Sequence, residues 1–151
     1  MSLSDSFPAN FRQEFVQRNL KIGSVIRLYV RDTNPPKQKR FVLVGQSYDK
    51  LIFAAIFINS EINPNVFPTQ ELRDLNLELT AKDRPYLSHD SYADCSSIYK
   101  RDADWLLTII GEDPTKIIGE VSGFDLKEIR EKIKAARTIT PAIKKTFGLF
   151  L

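Results

Sequence analysis

The apolar positions change their period along the chain, and each period predicts an element. Phe7, Phe11 and Phe15 recur at i, i+4 and i+8, with Asp5 or Ser6 available as a cap and Leu20 and Ile22 following. That spacing predicts a short amphipathic helix over 7–19, lying across a sheet. From Gly23 the period drops to two. Val25, Arg27, Tyr29 and Arg31 alternate with Ile26, Leu28 and Val30, which predicts a strand with one apolar and one basic-aromatic face. Asp32-Thr33-Asn34-Pro35-Pro36 ends it. Phe41–Val44 and Leu51–Ile58 are rich in β-formers, and Ser47-Tyr48-Asp49-Lys50 between them has the composition of a hairpin turn. A Pro/Asn-rich loop over 60–68 leads through a helical turn near Glu71 to alternating Leu75, Leu77 and Leu79, another short strand.

Residues 84–99 fit one or two further strands. Trp105, Leu106, Ile109 and Ile110 fit a helix face and a buried strand equally well, because a run this short does not separate the two periods. Leu126, Ile129, Ile133 and Ala136 fall at helical spacing with Lys127, Arg130, Glu131 and Lys134 opposite and Asp125 in the first turn, so a helix is expected there. Thr140-Pro141 opens a second short helix that runs through Phe147 and ends at Gly148. The sum is an α+β chain of one domain over 1–151: an N-terminal helix at 7–19, an antiparallel β-barrel core at 23–99, and a mainly helical part at 101–151.

Composition narrows the function classes more than it alters this picture. With 151 residues, 42% of them hydrophobic and 27% charged, the chain can bury a real core. One Cys and one His exclude a disulfide framework and a Cys/His metal centre, so no metal and no cofactor are expected. No run approaches the roughly 18 to 20 apolar residues of a membrane span, and Met1-Ser2-Leu3-Ser4-Asp5 has neither a basic n-region nor an apolar h-region. No membrane association and a cytoplasmic location are expected. The net charge of +3 is unevenly spread: residues 1–40 carry 8 Lys+Arg against 3 Asp+Glu, whereas residues 41–100 carry 5 against 8. This asymmetry suits an anionic partner such as RNA, and equally a solvated basic face.

Phosphate-cradling Gly loops, a Walker lysine and a nucleophile elbow are absent from the sequence. His89-Asp90-Ser91 spells three catalytic residue types, but neighbours in an extended segment point to opposite faces and do not assemble a triad. His89 alone is either a general acid or base or, more simply, a structural or surface histidine. Cys95 has no visible activator and reads as a buried small hydrophobe. Lys37, Lys39 and Arg40 follow Pro35-Pro36, where a loop before the second strand presents cations together for anion binding. Asn59, Ser60 and Glu61 end the third strand and open a long loop, a place where rigid scaffolds display binding groups.

The order of these pieces resembles the MazF/PemK-like superfamily of toxin ribonucleases, small SH3-like barrels with a C-terminal helix. Gly23-Ser24-Val25-Ile26 resembles the family's opening Gly-Asp-Ile/Val strand, and Lys39-Arg40-Phe41-Val42-Leu43-Val44 the strand started by an Arg after a basic loop. Ile56-Phe57-Ile58-Asn59-Ser60 sits where the family has a Pro-x-Thr-Ser-like strand end. Lys116–Ser122 with the following helix is similar to its Ile-Gly-x-Leu-Ser turn and final helix. The resemblance spans about residues 23–137, departs where Phe41 replaces the usual Pro and Asn59 the usual Thr, and adds the N-terminal helix and the 60–75 loop.

The resemblance implies a toxin endoribonuclease that cleaves single-stranded RNA without metal. Arg40 would stabilise the charged phosphorane, Ser60 and Asn59 would complete the catalytic set, and Lys37 and Lys39 would hold phosphates. It also implies a homodimer and a cognate acidic antitoxin. The alternative is a non-catalytic nucleic-acid- or protein-binding SH3-like module, with Tyr29 and Tyr48 as stacking surfaces beside the basic face. A third reading is an interaction protein whose apolar end, Phe147-Gly148-Leu149-Phe150-Leu151, docks on a partner or packs on its own core.

Overall fold

The computed structural model describes residues 14, 16, 18–30 and 37–150. Residues 14, 16, 18 and 19 are helical; the rest of the helix expected over 7–19, with Phe7, Phe11 and Phe15, lies outside the described residues, as do Arg31 and the turn through Pro35-Pro36. The remaining elements are β1 (Ser24–Val30), β2 (Lys37–Gln46), β3 (Ile52–Asn59), α1 (Gln70–Arg73), β4 (Asn76–Leu79), β5 (Ser91–Asp94), β6 (Tyr99–Asp102), α2 (Ala103–Glu112), a 3-10 turn (Pro114–Lys116), β7 (Ile117–Glu120), α3 (Gly123–Ala135) and α4 (Pro141–Thr146). The chain is thus α+β. Its antiparallel sheet, in the order β4-β5-β3-β2-β1-β7, is curled into a half-barrel, and β6 pairs with β3 beyond β5.

β2 and β3 are apolar without alternation because the sheet is covered on both faces at its centre. On one face Ile26, Leu28, Phe41, Leu43, Phe53, Ala55 and Phe57 meet Leu106 and Ile110 of α2 together with Val16 and Leu20. On the other, Val25, Val42, Val44, Ala54, Ile56 and Ile58 meet Ile129 and Ile133 of α3 and the C-terminal Phe147 and Leu149. Each fully buried Val, Leu, Ile or Phe side chain among them contributes roughly 1.5–3 kcal/mol to stability. The Trp105–Ile110 stretch, open between helix and strand on periodicity, is helical, with Asp102 capping α2 through Trp105 N. The 84–99 stretch holds one strand, β5, and the first residue of a second, β6, which runs on to Asp102; the two lie end to end along β3. β7 adds a strand within the part expected to be mainly helical.

The C-terminal segment packs on its own core: Phe147 is 2% and Leu149 0% exposed. A bulge in β2 at Leu43/Gly45 turns Gly45 toward this segment, and a Cβ there would lie 2.8 Å from the Phe147 carbonyl oxygen. The buried Lys144 ammonium donates to the carbonyls of Lys134 and Ala136, satisfying acceptors left open at the end of α3. Edges β4 and β7 do not pair with each other among the described residues. The β4–β5 connection spans the gap with side chains: Tyr86 lies against Gly119 of β7, and Arg84 makes two 2.9 Å bonds to the buried Asp125 of α3. No helix among the described residues is long and apolar enough to cross a membrane.

Candidate functional site

The basic stretch expected as a loop is strand. Lys37, Lys39 and Arg40 pair in β2 opposite Val30, Leu28 and Arg27 of β1, because the β-ladder continues past the apolar run. Strand geometry then decides which of these side chains act together, since successive residues point to opposite faces. Lys39 shares the face of Leu28, Phe41 and Phe57. Arg40 shares the face of Val42 and Ile58 and lies between Arg27 and Ile58 in the ladder. The same parity places Asn59 on the face of Phe57, with Lys39.

On that face a cleft of about 330 Å³ opens at the end of β2 and β3. Lys37, Lys39, Asn59 and Ser60 line it, joined by Phe57, Asp94, Tyr99 and residues of the 60–68 loop. The Lys39 ammonium donates to Asn59 Oδ1 and stands 5.3 Å from the centre of the Phe57 ring, a cation–π approach. Phe57 packs against Tyr99 of β6 with ring centres 4.2 Å apart and planes tilted by 43°. Burial, and then the neighbouring charge of Lys37, hold the Lys39 ammonium below its usual pKa, while Asp94 works in the opposite direction.

Asp94 closes β5 and is 8% exposed. Its Oδ1 accepts from the backbone N–H of Ser96 at 2.9 Å and from the Ser96 hydroxyl, an Asx turn at the break between β5 and β6. No residue among those described donates a hydrogen bond to its Oδ2 or forms an ion pair with it. The cleft therefore holds an exposed cation at its rim, Lys37, and a half-buried cation deeper in, Lys39, facing a largely buried carboxylate. It offers a phosphate a contact at the mouth and a planar ligand both donors and an acceptor inside.

The other expected residues lie elsewhere. Arg40 and Tyr29 are on the opposite face of the sheet; Tyr29 is 56% exposed, and Arg40 Nε is buried with no acceptor among the described residues. Tyr48 is fully exposed at the β2–β3 turn, which β3, eight residues long, separates from the cleft by about 25 Å. His89, Asp90 and Ser91 do not form a triad: Asp90 Oδ1 accepts from Ala81 N at 2.8 Å, and the Ser91 hydroxyl donates to the His89 carbonyl at 2.9 Å. Cys95 is buried in the core, and burial, with the Asp94 charge second, pushes its thiol up to about 12.

Sequence reasoning missed Phe57, Asp94 and Tyr99 as cleft residues. For Phe57 a signal was present: it stands two positions from Asn59 and so shares its face. Asp94 and Tyr99 are brought in by the pairing of β5 and β6 with β3, which nothing in the local pattern specifies. Compared with protein-family models and with curated proteins, the sequence matches none.

Proposed function

We propose that this chain binds single-stranded RNA in the cleft between Lys37, Lys39, Asn59 and Ser60, on an SH3-like barrel of the MazF/PemK kind working in the cytoplasm. The observation that carries the reading is the Lys39–Asn59 bond set over the Phe57–Tyr99 pair, with Lys37 exposed at the rim. Cations beside aromatic rings in a cleft at the ends of β2 and β3 suit a flexible strand, whose phosphates meet lysine while its bases turn inward. The test is binding of a labelled U-rich oligoribonucleotide across a salt series. Lys37→Ala and Lys39→Ala each weaken binding, and each lowers the slope of log K against log salt by about 0.7 if the lysine neutralises one phosphate. Unchanged affinity and slope in both variants refute this reading.

Metal-independent cleavage by the homodimeric toxin, held in check by an acidic antitoxin, is the second reading. What favours it is Arg40, whose Nε–H is buried without an acceptor one residue along β2 from Lys39. In this reading Arg40 stabilises the charged phosphorane while Ser60 and Asn59 position the reacting ribose. Arg40 and Asn59 occupy opposite faces, so this reading requires the RNA to pass around the end of the sheet where β2 begins and β3 finishes. Long RNA incubated in EDTA with wild type and with Arg40→Ala, resolved on a denaturing gel, separates the two: discrete fragments lost in the variant establish cleavage, and intact RNA leaves binding.

A further inference from the structure

We infer that the inner end of this cleft is a guanine-selective base subsite, with Asp94 Oδ2 reading the base. This rests on the RNA-binding reading above and extends it from phosphate contact to base choice. Asp94 is nine-tenths buried, yet one of its carboxylate oxygens is held by Ser96 while the other takes no hydrogen bond among the described residues. That second oxygen is not sealed from solvent: Asp94 lines the cleft, where a ligand's donors reach it. Lys39 faces it from across the cleft without coming within ion-pair distance, and is itself bonded to Asn59. Because Asn59 Oδ1 is taken by Lys39, the Asn59 side chain presents its amide N–H groups to an incoming ligand.

The cleft thus offers an acceptor at Asp94 and donors at Lys39 and Asn59. Asn59 lies opposite Tyr92, two residues from Asp94, so the two groups are diagonal neighbours across β3 and β5, about 7–8 Å apart at the backbone, a span that the edge of a base fills. Among the four RNA bases only guanine carries two adjacent donors, N1–H and N2–H, beside an acceptor, O6. Both donors converge on Asp94 Oδ2 while O6 meets Lys39 or Asn59. Adenine, cytosine and uracil each present at most one donor to the carboxylate on that edge.

The test is fluorescence polarisation of short U-rich oligoribonucleotides carrying one central guanine, hypoxanthine, adenine, cytosine or uracil. Guanine is expected to bind about ten-fold tighter than adenine, cytosine or uracil, the size of a good two-bond base contact, with hypoxanthine in between because it lacks the N2 donor. Asp94→Asn is expected to bring the ratio of guanine to uracil affinity down from about ten-fold to about one. Should Asp94→Asn fail to fold by circular dichroism, the hypoxanthine and guanine comparison on the wild type decides alone. Salt-dependent binding of equal strength for all five overturns the guanine subsite and leaves the RNA-binding reading standing. Absence of binding to any of them overturns both.

Discussion

At Gly45 the C-terminal segment comes close against the sheet, and replacement of this residue by alanine tests whether that segment is part of the core. A Cβ on Gly45 would stand 2.8 Å from the Phe147 carbonyl oxygen, 3.2 Å from Phe147 Cβ and 3.3 Å from Leu149 Cδ2. The nearest atom belongs to the backbone, so no rotamer change relieves the contact; the segment after α4 has to move. Phe147 and Leu149 are almost wholly buried, and shifting them loosens the packing of the core cluster to which they belong. Overpacking of this kind costs about 1–3 kcal/mol. For a domain of this size each kcal/mol lowers the melting temperature by about 2–4 °C, so Gly45→Ala is expected to melt several degrees below wild type. Gly111, near the end of α2, is the control: no atom lies within 4 Å of its Cβ position, and alanine there is expected to be neutral or to stabilise by up to about 1 kcal/mol. Thermal and urea denaturation followed by circular dichroism give both values. A Gly45→Ala protein as stable as Gly111→Ala would refute the argument that the terminal segment seats directly on β2.

Two further outcomes follow from the buried titratable groups. Cys95 is fully buried and its thiol is pushed up to about 12, so a thiol reagent at neutral pH is expected to leave the native protein unlabelled and to react only on unfolding; stoichiometric labelling of the native protein would contradict this burial. Lys39 has its pKa lowered by burial, so the folded state holds its proton less firmly than the unfolded chain: its contribution favours folding above the ordinary lysine pKa and is lost as pH falls through the lowered value. At neutral pH the charge is therefore a burden on stability, and Lys39→Met is expected to melt no lower than wild type while losing RNA affinity, a separation that a paired melt and binding titration reads directly.

Much of the fold was legible because strong local signals agreed with the tertiary outcome. The α3 stripe at Ile129 and Ile133, continued by Ala136 just past the helix end, is the face that meets the sheet, and the Thr140-Pro141 signal opens α4 where the cap bond to Ile143 N is found. The hairpin at 47–50 is held by bonds from the Ser47 hydroxyl to Asp49 and from Leu51 N to Asp49, as its polar composition implied. The unbroken apolar runs of β2 and β3 state burial on both faces but not what covers each face. That depends on where α2 and α3 pack, a long-range matter that periodicity does not encode. The break between β5 and β6 was equally hidden, since short polar strands draw their register from β3 and not from their own sequence.

The site was legible in its residues and not in its grouping, and the reason lies in the period of a strand. Lys39 and Arg40 are neighbours in sequence, and as a loop they would act together; once β2 extends back to Lys37, adjacency separates them, and each joins the residues of its own parity. Lys39 then belongs with Phe57 and Asn59, Arg40 with Ile58 and Arg27. A one-residue change of register would exchange the two cations between faces and bring Lys39 to the face that Val42 and Ile58 share. The pairing of Val25 with Val42 and of Ile26 with Phe41, large apolar residues matched on each face, is what forbids that slip, so the hydrophobic core chooses which cation faces the cleft.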